Sequence, residues 1–358
     1  MGNLFALFIT DLIALFAIYT IINFSLRLQL GYTGIANFGL VLAFTGGAYT
    51  VGWLPVRIGM SLFHLDPMLR SDMIWNNPII VSQINLSLQN SPGNAIWVFL
   101  VTLLSAALVG ALLGLLSGYP AARLRGDYLA ISLLALGEVL AIIGKNFDPL
   151  VGGALGVQVP DVFAWSGNAR FIVVTFVLLL FVFLVWIYMY FIERSPMSRT
   201  LRAVRDNHIV AAALGKDVKR IRLGVLVVGG FLCGIAGALY AFYTGGVVAS
   251  AYGITEWTFL PWVMVVFGGS GSNLGVLLGG LTFVTIRKLI TAYKYSFAFL
   301  PFDPVWLQYL LMGVVLLFIL AFRPSGLVPE KSSYSIRKSQ LKQIAKSVLN
   351  KEKSGSSS

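Results

Sequence analysis

The stretch FIVVTFVLLLFVFLVWIYMYFI, residues 171–192, carries no charged side chain and decides the class of fold. A helix needs about 20 apolar residues to cross the bilayer core, because every backbone amide must be bonded within its own segment. This stretch is long enough to cross once. The whole chain shares its character, since 58% of its 358 residues are hydrophobic and 11% are charged. The sequence therefore predicts an integral membrane protein built from helices.

Eight further apolar runs resemble the first. We therefore predict an all-α, polytopic transmembrane helix bundle with about nine spans, within a range of eight to ten. The predicted spans are residues 4–26, 35–55, 95–117, 128–144, 171–192, 223–243, 257–267, 274–290 and 305–322. They make residues 1–330 a transmembrane domain, which a basic tail at residues 331–358 follows.

Basic residues set the predicted orientation of the bundle. Residues 193–222 hold eight lysines and arginines, and residues 323–358 hold eight more of the chain's 26. Such residues stay on the cytoplasmic side, so this loop and the carboxyl terminus are predicted to be cytoplasmic. The amino terminus and a long loop at residues 56–94 are then external. Arg287, Lys288 and Lys294 disagree, because this scheme places them outside.

The basic tail has an amphipathic pattern. Leu341, Ile344, Ala345, Val348 and Leu349 share one helical stripe among lysines, which predicts a partly amphipathic, partly disordered segment on the membrane surface. Attraction to anionic lipid explains most of the basic charge, so we predict a lipid partner and no nucleic acid.

Glycines are placed where helices would meet or break. The series Gly110, Gly114 and Gly118 and the pair Gly230 and Gly234 have the spacing of close helix contacts. The segment GYTGIANFG, residues 31–39, is glycine-rich and polar between two apolar runs, which favours an unwound or tightly packed stretch inside the core.

A weak internal echo also involves that segment. NFGLVL from Asn37 aligns with NLGVLL from Asn273. This fits two related halves with broken helices at matching positions, as in many transporters. Chance similarity between apolar sequences is the alternative.

The chain lacks the residue sets of common enzymes. It has no GxxxxGK[ST] phosphate loop, and two histidines with one cysteine predict no metal site. We predict that it binds no cofactor and is not an enzyme. Asp11 and Glu138 are the carboxylates placed inside predicted spans, at a cost of about 3 kcal/mol each if ionised at the bilayer centre. Glu138, beside Gly137, is either a pathway or gating residue or a structural hydrogen-bond anchor.

The loop RSPMSRTLRAVRDNHIVAAALGKDVKRIRL, residues 194–223, is predicted to contain one short helix. Ser198 is the predicted cap, and Gly215 is predicted to end the helix. A helix with small residues on one face, held at the membrane surface, fits the groove of another protein. A solvated loop is the alternative.

Four groups of motifs resemble the membrane permeases of ABC importers for branched-chain amino acids, a group related to ribose and urea permeases. The motifs are GYTGIANFG with FTGGAYT (44–50), LRGDYLAISLLALGEVL (124–140) with LVGGALGV (150–157), the loop above with LCGIAGALYA and VVFGGSGSNLGVLLGG, and RPSGLVP (323–329). The resemblance covers about residues 26–329.

The resemblance implies a subunit of the prokaryotic inner membrane with several partners. These would be a second permease subunit, identical or homologous, two ATP-binding subunits that use the ATP, and an external substrate-binding protein. The implied ATPase-coupling residues are Arg202, Arg205, His208, Ala211, Ala213, Leu214 and Gly215. The residues assigned to the translocation path are Gly34, Asn37, Gly39, Gly137, Glu138, Gly152 and Gly153.

Two features depart from that family. Members often carry glutamates in the coupling helix where this chain has His208 and Ala212, and His208 is either a pH sensor or a plain surface residue. The segment at residues 56–94 is longer than expected, and either docks an unusual binding protein or forms an ordered flap. Two other function classes stay open: a secondary transporter that uses Glu138 as a proton or ion relay, and a membrane scaffold or intramembrane enzyme.

Overall fold

The structure is a computed structural model that describes residues 2–66, 72–124, 126–294, 303, 306–323 and 325–330. Within these residues the chain is a bundle of helices with one pair of short strands. The helices are α1 (Gly2–Leu26), α2 (Leu40–Leu62), α3 (Asn77–Gln89), α4 (Pro92–Arg123), α5 (Gly126–Asn146), α6 (Asp148–Val151), α7 (Arg170–Arg194), α8 (Pro196–Asp206), α9 (His208–Ala213), α10 (Val218–Thr244), α11 (Leu260–Gly268), α12 (Asn273–Ala292) and α13 (Leu307–Phe322). The strands β1 (Val157–Gln158) and β2 (Gly246–Val247) pair antiparallel. The predicted tail at residues 331–358 lies outside the described residues.

Six helical segments in the described part of the chain are long and apolar enough to cross a membrane. They are Phe5–Tyr32, Pro92–Ala121, Gly126–Asn146, Ala164–Arg194, Val218–Thr244 and Asn273–Ala292. The predicted polytopic helical bundle is therefore confirmed. The other three predicted spans fall on α2, on the short α11 and on α13, whose apolar part is Leu307–Ile319. The count of nine crossings stays a prediction.

The centre of the bundle is α10, which packs against α4, α2 and α1. Gly110 of α4 faces Gly230 of α10 so closely that a Cβ on either would clash with the carbonyl oxygen of the other. Gly234 meets the carbonyl of Ala106 in the same way. Small residues let two helix backbones touch where larger side chains would hold them apart. The glycine spacing therefore predicted a real packing contact.

Helix α2 begins and ends later than the predicted span at residues 35–55. Residues 34–39 are not helical, and the helix runs from Leu40 through Pro55 to Leu62. Most of its residues are buried against α10, α4 and α5. The segment at residues 56–94, predicted as a loop, is largely helical, because it holds the end of α2, all of α3 and the start of α4.

Two helix breaks lie close to each other at one end of the bundle. The first break, residues 34–39, follows a π-helix at Arg27–Tyr32 that extends α1. The second break, residues 269–272, separates α11 from α12, and its Gly269 has a φ of 105°. A π-helix at Thr255–Phe259 leads into α11, and the two together measure about 21 Å, too short for a full crossing. Asn37 and Asn273, which the sequence echo aligns, each lie at a break, which fits two related halves.

Candidate functional site

Buried amide side chains hold the first break in place. Asn37 Nδ2 donates to Gln29 Oε1 at 2.6 Å, and Gln29 Nε2 donates to Ser25 Oγ at 3.0 Å. The oxygen of the Asn37 carboxamide accepts from the Gly39 amide at 2.7 Å. These bonds give hydrogen-bond partners to polar groups that would otherwise be buried without any. Three residues assigned to the path, Gly34, Asn37 and Gly39, therefore lie together in this break.

Two glycines of the first break have little room for a side chain. Gly34 has a φ of 69°, and a Cβ there would lie 3.1 Å from Arg205 Cγ. A Cβ on Gly39 would lie 2.7 Å from the Leu133 carbonyl oxygen of α5. The break thus touches α5 on one side and α8 on the other.

Arg27 joins the two breaks and was not singled out in the sequence. It is 1% exposed, and its Nη1 donates to Asn273 Oδ1 at 2.5 Å while its Nη2 donates to the Gly271 carbonyl at 3.2 Å. Asn273 Nδ2 in turn donates to Glu193 Oε2 at 2.7 Å. An arginine at the end of an apolar run, four residues before a glycine-rich segment, was the signal that could have identified it.

The loop at residues 194–223, predicted to contain one coupling helix, contains two helices, α8 and α9. Ser198 is buried inside α8 rather than at its cap, and Pro196 takes the first turn, where its missing amide hydrogen costs nothing. Asn207, in an extended conformation, ends α8 and caps α9: its side-chain oxygen accepts from the amides two and three residues later, at 3.0 and 3.1 Å. Gly215, with a φ of 80°, follows the end of α9, as predicted.

Two arginines tie helix α8 to the π-helix that precedes the first break and to the end of the described chain. Arg205 Nη1 donates to the Gly31 carbonyl at 2.5 Å and lies 2.9 Å from Glu330 Oε2. Arg202 Nε lies 3.3 Å from Glu330 Oε1. Burial alone would lower the pKa of Arg205, but Glu330 and then Asp206 outweigh it and raise that pKa above its usual value. The guanidinium that holds Gly31 is therefore always charged.

Helix α9 and Leu214, which directly follows it, present an apolar surface to solvent. Ile209, Val210 and Leu214 are 68%, 53% and 75% exposed. The remaining predicted coupling residues differ in burial. Ala213 and Gly215 are exposed, His208 is half-buried and Ala211 is buried. A group of exposed aliphatic side chains on a short helix flanked by basic residues fits the predicted contact surface, which stays a prediction.

The other residues assigned to the path are more scattered. Gly137 of α5 packs against Val41, and a Cβ there would lie 2.7 Å from the Val41 side chain. Glu138 is half-buried, and no hydrogen bond or ion pair holds its carboxylate within the described part of the chain. Gly152 and Gly153, both with positive φ, lie in the turn after α6. That turn packs beside Gly52, which is about 20 Å along α2 from Gly39, so these two glycines are not brought to the first break.

Two charge pairs that the sequence did not predict lie away from the two helix breaks. Lys288 pairs with Asp11, whose carboxylate also accepts from Tyr243 Oη at 2.6 Å. Arg287 Nη1 lies 2.5 Å from Glu256 Oε2. Asp11 lies about 24 Å from Arg27 along α1 and the π-helix that extends it, so this pair is far from the two breaks. Arg287 and Lys288 are therefore neutralised by partners within the bundle. Lys294 still disagrees with the orientation, which stays a prediction.

The chain matches known transport proteins along most of its length. A sequence model of the family described as branched-chain amino acid transport system / permease component matches residues 8–320. The probable branched-chain amino acid transport permease protein LivM of Methanocaldococcus jannaschii is 36% identical over 320 residues, which cover 88% of this chain and 92% of that protein.

More distant relatives include permeases named for other substrates. The high-affinity branched-chain amino acid transport system permease protein LivM of Escherichia coli is 27% identical over 345 residues. The aligned part covers 89% of this chain and 69% of that protein. The fructose import permease protein FrcC of Rhizobium meliloti is 26% identical over a part that covers 60% of this chain and 59% of that protein. No solved structure matches the chain.

Proposed function

Because this chain belongs to the family of permease components of branched-chain amino acid transport systems, we propose that it lines the translocation path of an ATP-driven importer. It works with a second permease subunit, two ATP-binding subunits and an external substrate-binding protein. The chain itself binds no nucleotide, and the ATP-binding subunits hydrolyse the ATP. Its substrates are branched-chain or other hydrophobic amino acids.

One observation carries this proposal: the exposed α9 and the first break are mechanically linked. Helix α9 follows α8 directly, and Arg205 of α8 donates to the Gly31 carbonyl at the start of the glycine-rich segment. A partner that moves α9 therefore pulls on the π-helix that leads into the non-helical residues 34–39.

The proposed mechanism is alternating access. Closure of the ATP-binding subunits displaces α8 and α9, and Arg205 carries that displacement to the first break. The break can respond, since residues 34–39 are not locked in a helical hydrogen-bond pattern. Each nucleotide state of the partners must contact the two permease conformations differently, because only differential binding shifts an equilibrium.

The charge distribution supports one orientation. The end of the bundle with α8 and α9 holds the basic loop at residues 193–222, so it faces the cytoplasm, as does the carboxyl terminus. The amino terminus is external, and α3 lies on the external side. The protein is a multi-pass subunit of a prokaryotic inner membrane.

Identity to relatives guides the choice of substrate. The relative at 36% identity is named for branched-chain amino acids, whereas the fructose permease matches at 26% over a smaller part of the chain. Leucine, isoleucine and valine are therefore the first substrates to test.

A second candidate function rests on Glu138. Its half-buried carboxylate has no hydrogen-bonding or charged partner among the described residues, and an ionisable group inside a membrane span marks a candidate proton or ion relay. A secondary transporter would then need no ATPase.

Uptake by reconstituted vesicles separates the two functions. Radiolabelled leucine is supplied with the binding protein, and transport is energised either by ATP with the partner subunits or by an ion gradient with this chain alone. The proposal expects ATP-dependent uptake that requires every partner. Gradient-driven uptake by the isolated chain would contradict it and favour the Glu138 relay.

Substitution of Leu214 tests the α9 contact. Leu214→Glu should lower ATP-driven uptake by about 10- to 100-fold, because it places a charge in the centre of an apolar contact, where one side chain can supply about 1–3 kcal/mol. Its effect on stability should stay within about 0.5 kcal/mol, since the side chain is exposed. Leu214→Met is the matched control and should transport normally. Normal uptake by Leu214→Glu would show that α9 is not the contact.

A further inference from the structure

We infer that Glu330 is a positioning residue that makes the second helix break move together with the first. Its carboxylate spans two arginines on successive turns of α8, with Arg205 at 2.9 Å and Arg202 at 3.3 Å. Arg205 holds Gly31 with the same Nη1 atom. One guanidinium is thus shared between Glu330 and the π-helix that leads into the first break. The inference rests on the proposed coupling role of α8 and α9.

The backbone that carries Glu330 is fixed to the second break. The Leu327 amide donates to the Phe267 carbonyl at 2.8 Å, and the Val328 amide donates to the Gly268 carbonyl at 3.0 Å. These are carbonyls at the end of α11 that no later turn of that helix satisfies. Residues 325–330 therefore act as a strap from the end of α11 to α8.

Close packing makes the strap a stiff connection. Gly326 packs so tightly on Gly269 that a Cβ on Gly326 would lie 2.6 Å from the Gly269 backbone. Gly271 has no room for a Cβ because the Glu330 side chain fills that space. Glu330 is the point where this packed strap meets α8.

This arrangement gives displacement of α8 two routes into the bundle. The first runs through Arg205 to Gly31, and the second runs through Glu330 and the strap to residues 268–272. Both breaks must shift together if two related halves of the bundle are to switch access as a unit. Without the Glu330 carboxylate, α8 keeps its contact with the first break and loses its charged contact with the second. ATP hydrolysis would continue, but less of it would be converted into transport.

The test measures leucine transported per ATP hydrolysed by the reconstituted complete transporter. Glu330→Ala should lower this ratio at least fivefold while the ATPase rate and the assembly of the complex stay within twofold of the wild type. Glu330→Gln keeps the shape of the side chain and one acceptor oxygen but not the charge. Its transport ratio should lie between those of Glu330→Ala and the wild type. Asp206→Asn is the matched control: Asp206 also pairs with Arg205, at 3.2 Å, but it is 69% exposed and is not bonded to the strap. Its ratio should stay within twofold of the wild type.

Each other outcome overturns the inference. An unchanged ratio in Glu330→Ala would mean that the strap transmits nothing. Loss of assembly in both Glu330→Ala and Glu330→Gln would mean that Glu330 only holds the fold. An equal fall in Asp206→Asn would mean that charge near Arg205 matters and the strap does not. ATP-driven uptake by the wild type is measured first, so failure of the proposed function appears there, before any variant is compared.

Discussion

Replacement of both Gly34 and Gly39 by leucine is expected to abolish uptake while leaving membrane insertion intact. A residue with a Cβ pays about 1–2 kcal/mol in the left-handed conformation that Gly34 adopts, at a φ of 69°. Leucine at Gly39 would press on the Leu133 carbonyl, which is backbone and cannot rotate away. Overpacking of this kind costs about 1–3 kcal/mol per site. The sum is comparable with the few kcal/mol that separate two working conformations.

Insertion should survive, because leucine raises the hydropathy of the segment and insertion depends on hydropathy. The measurement is ATP-driven uptake per amount of protein in the membrane. Gly313→Leu is the matched control, since it adds the same side chain to α13 at a glycine whose Cβ would meet no atom of another described segment within 4 Å. Unchanged uptake in the double variant would refute the role of the first break.

Substitution of Arg287 by leucine is expected to destabilise the protein by about 3 kcal/mol. Arg287 lies 2.5 Å from Glu256 and donates to Tyr19 Oη at 2.6 Å. Its loss leaves the Glu256 carboxylate with hydroxyl donors only, from Tyr309 at 2.6 Å and Tyr19 at 3.3 Å. Removing one member of a desolvated ion pair typically costs about 3–5 kcal/mol, and the partial exposure of both side chains favours the lower end.

A neutral pair separates charge from packing in this prediction. The double variant Glu256→Gln with Arg287→Gln keeps two groups that can bond to each other and to the tyrosines, so it should recover most of the lost stability. Thermal unfolding of the purified protein in detergent measures both variants. A single Arg287→Leu variant that melts like the wild type would mean that the Glu256 carboxylate is already protonated or solvated.

Hydropathy and glycine spacing predicted the parts of the fold that depend on single segments. Span existence follows from apolar length, and Gly110 and Gly230 could be recognised as contact residues because only small side chains allow backbones to touch. The first break could also be predicted, since GYTGIANFG combines glycines with polar side chains between two apolar runs. The helical α3 could have been predicted, because Ile80, Ile84 and Leu88 recur every four residues.

The features that the sequence did not reveal depend on partners far apart in the chain. Glu256 and Arg287 lie on different helices, and nothing in the local pattern around either one indicates the other. Arg27 meets Asn273 only after the two breaks are folded side by side. The division of the predicted coupling helix at Asn207 was local, however, and the strong preference of asparagine for helix caps could have identified it.

Helix α9 must face the cytoplasm and meet another protein there if it is to couple the bundle to ATP hydrolysis. The direct measurement is the labelling of Leu214→Cys by a membrane-impermeant maleimide in vesicles of both orientations; the native Cys233 is 1% exposed and should not react. Gln89→Cys, at the exposed end of α3, is the matched control for the external side. We expect Leu214→Cys to react only in inside-out vesicles and to be protected when the ATP-binding subunits are present, and Gln89→Cys to react only in right-side-out vesicles. Reaction of Leu214→Cys from the outside would contradict the account.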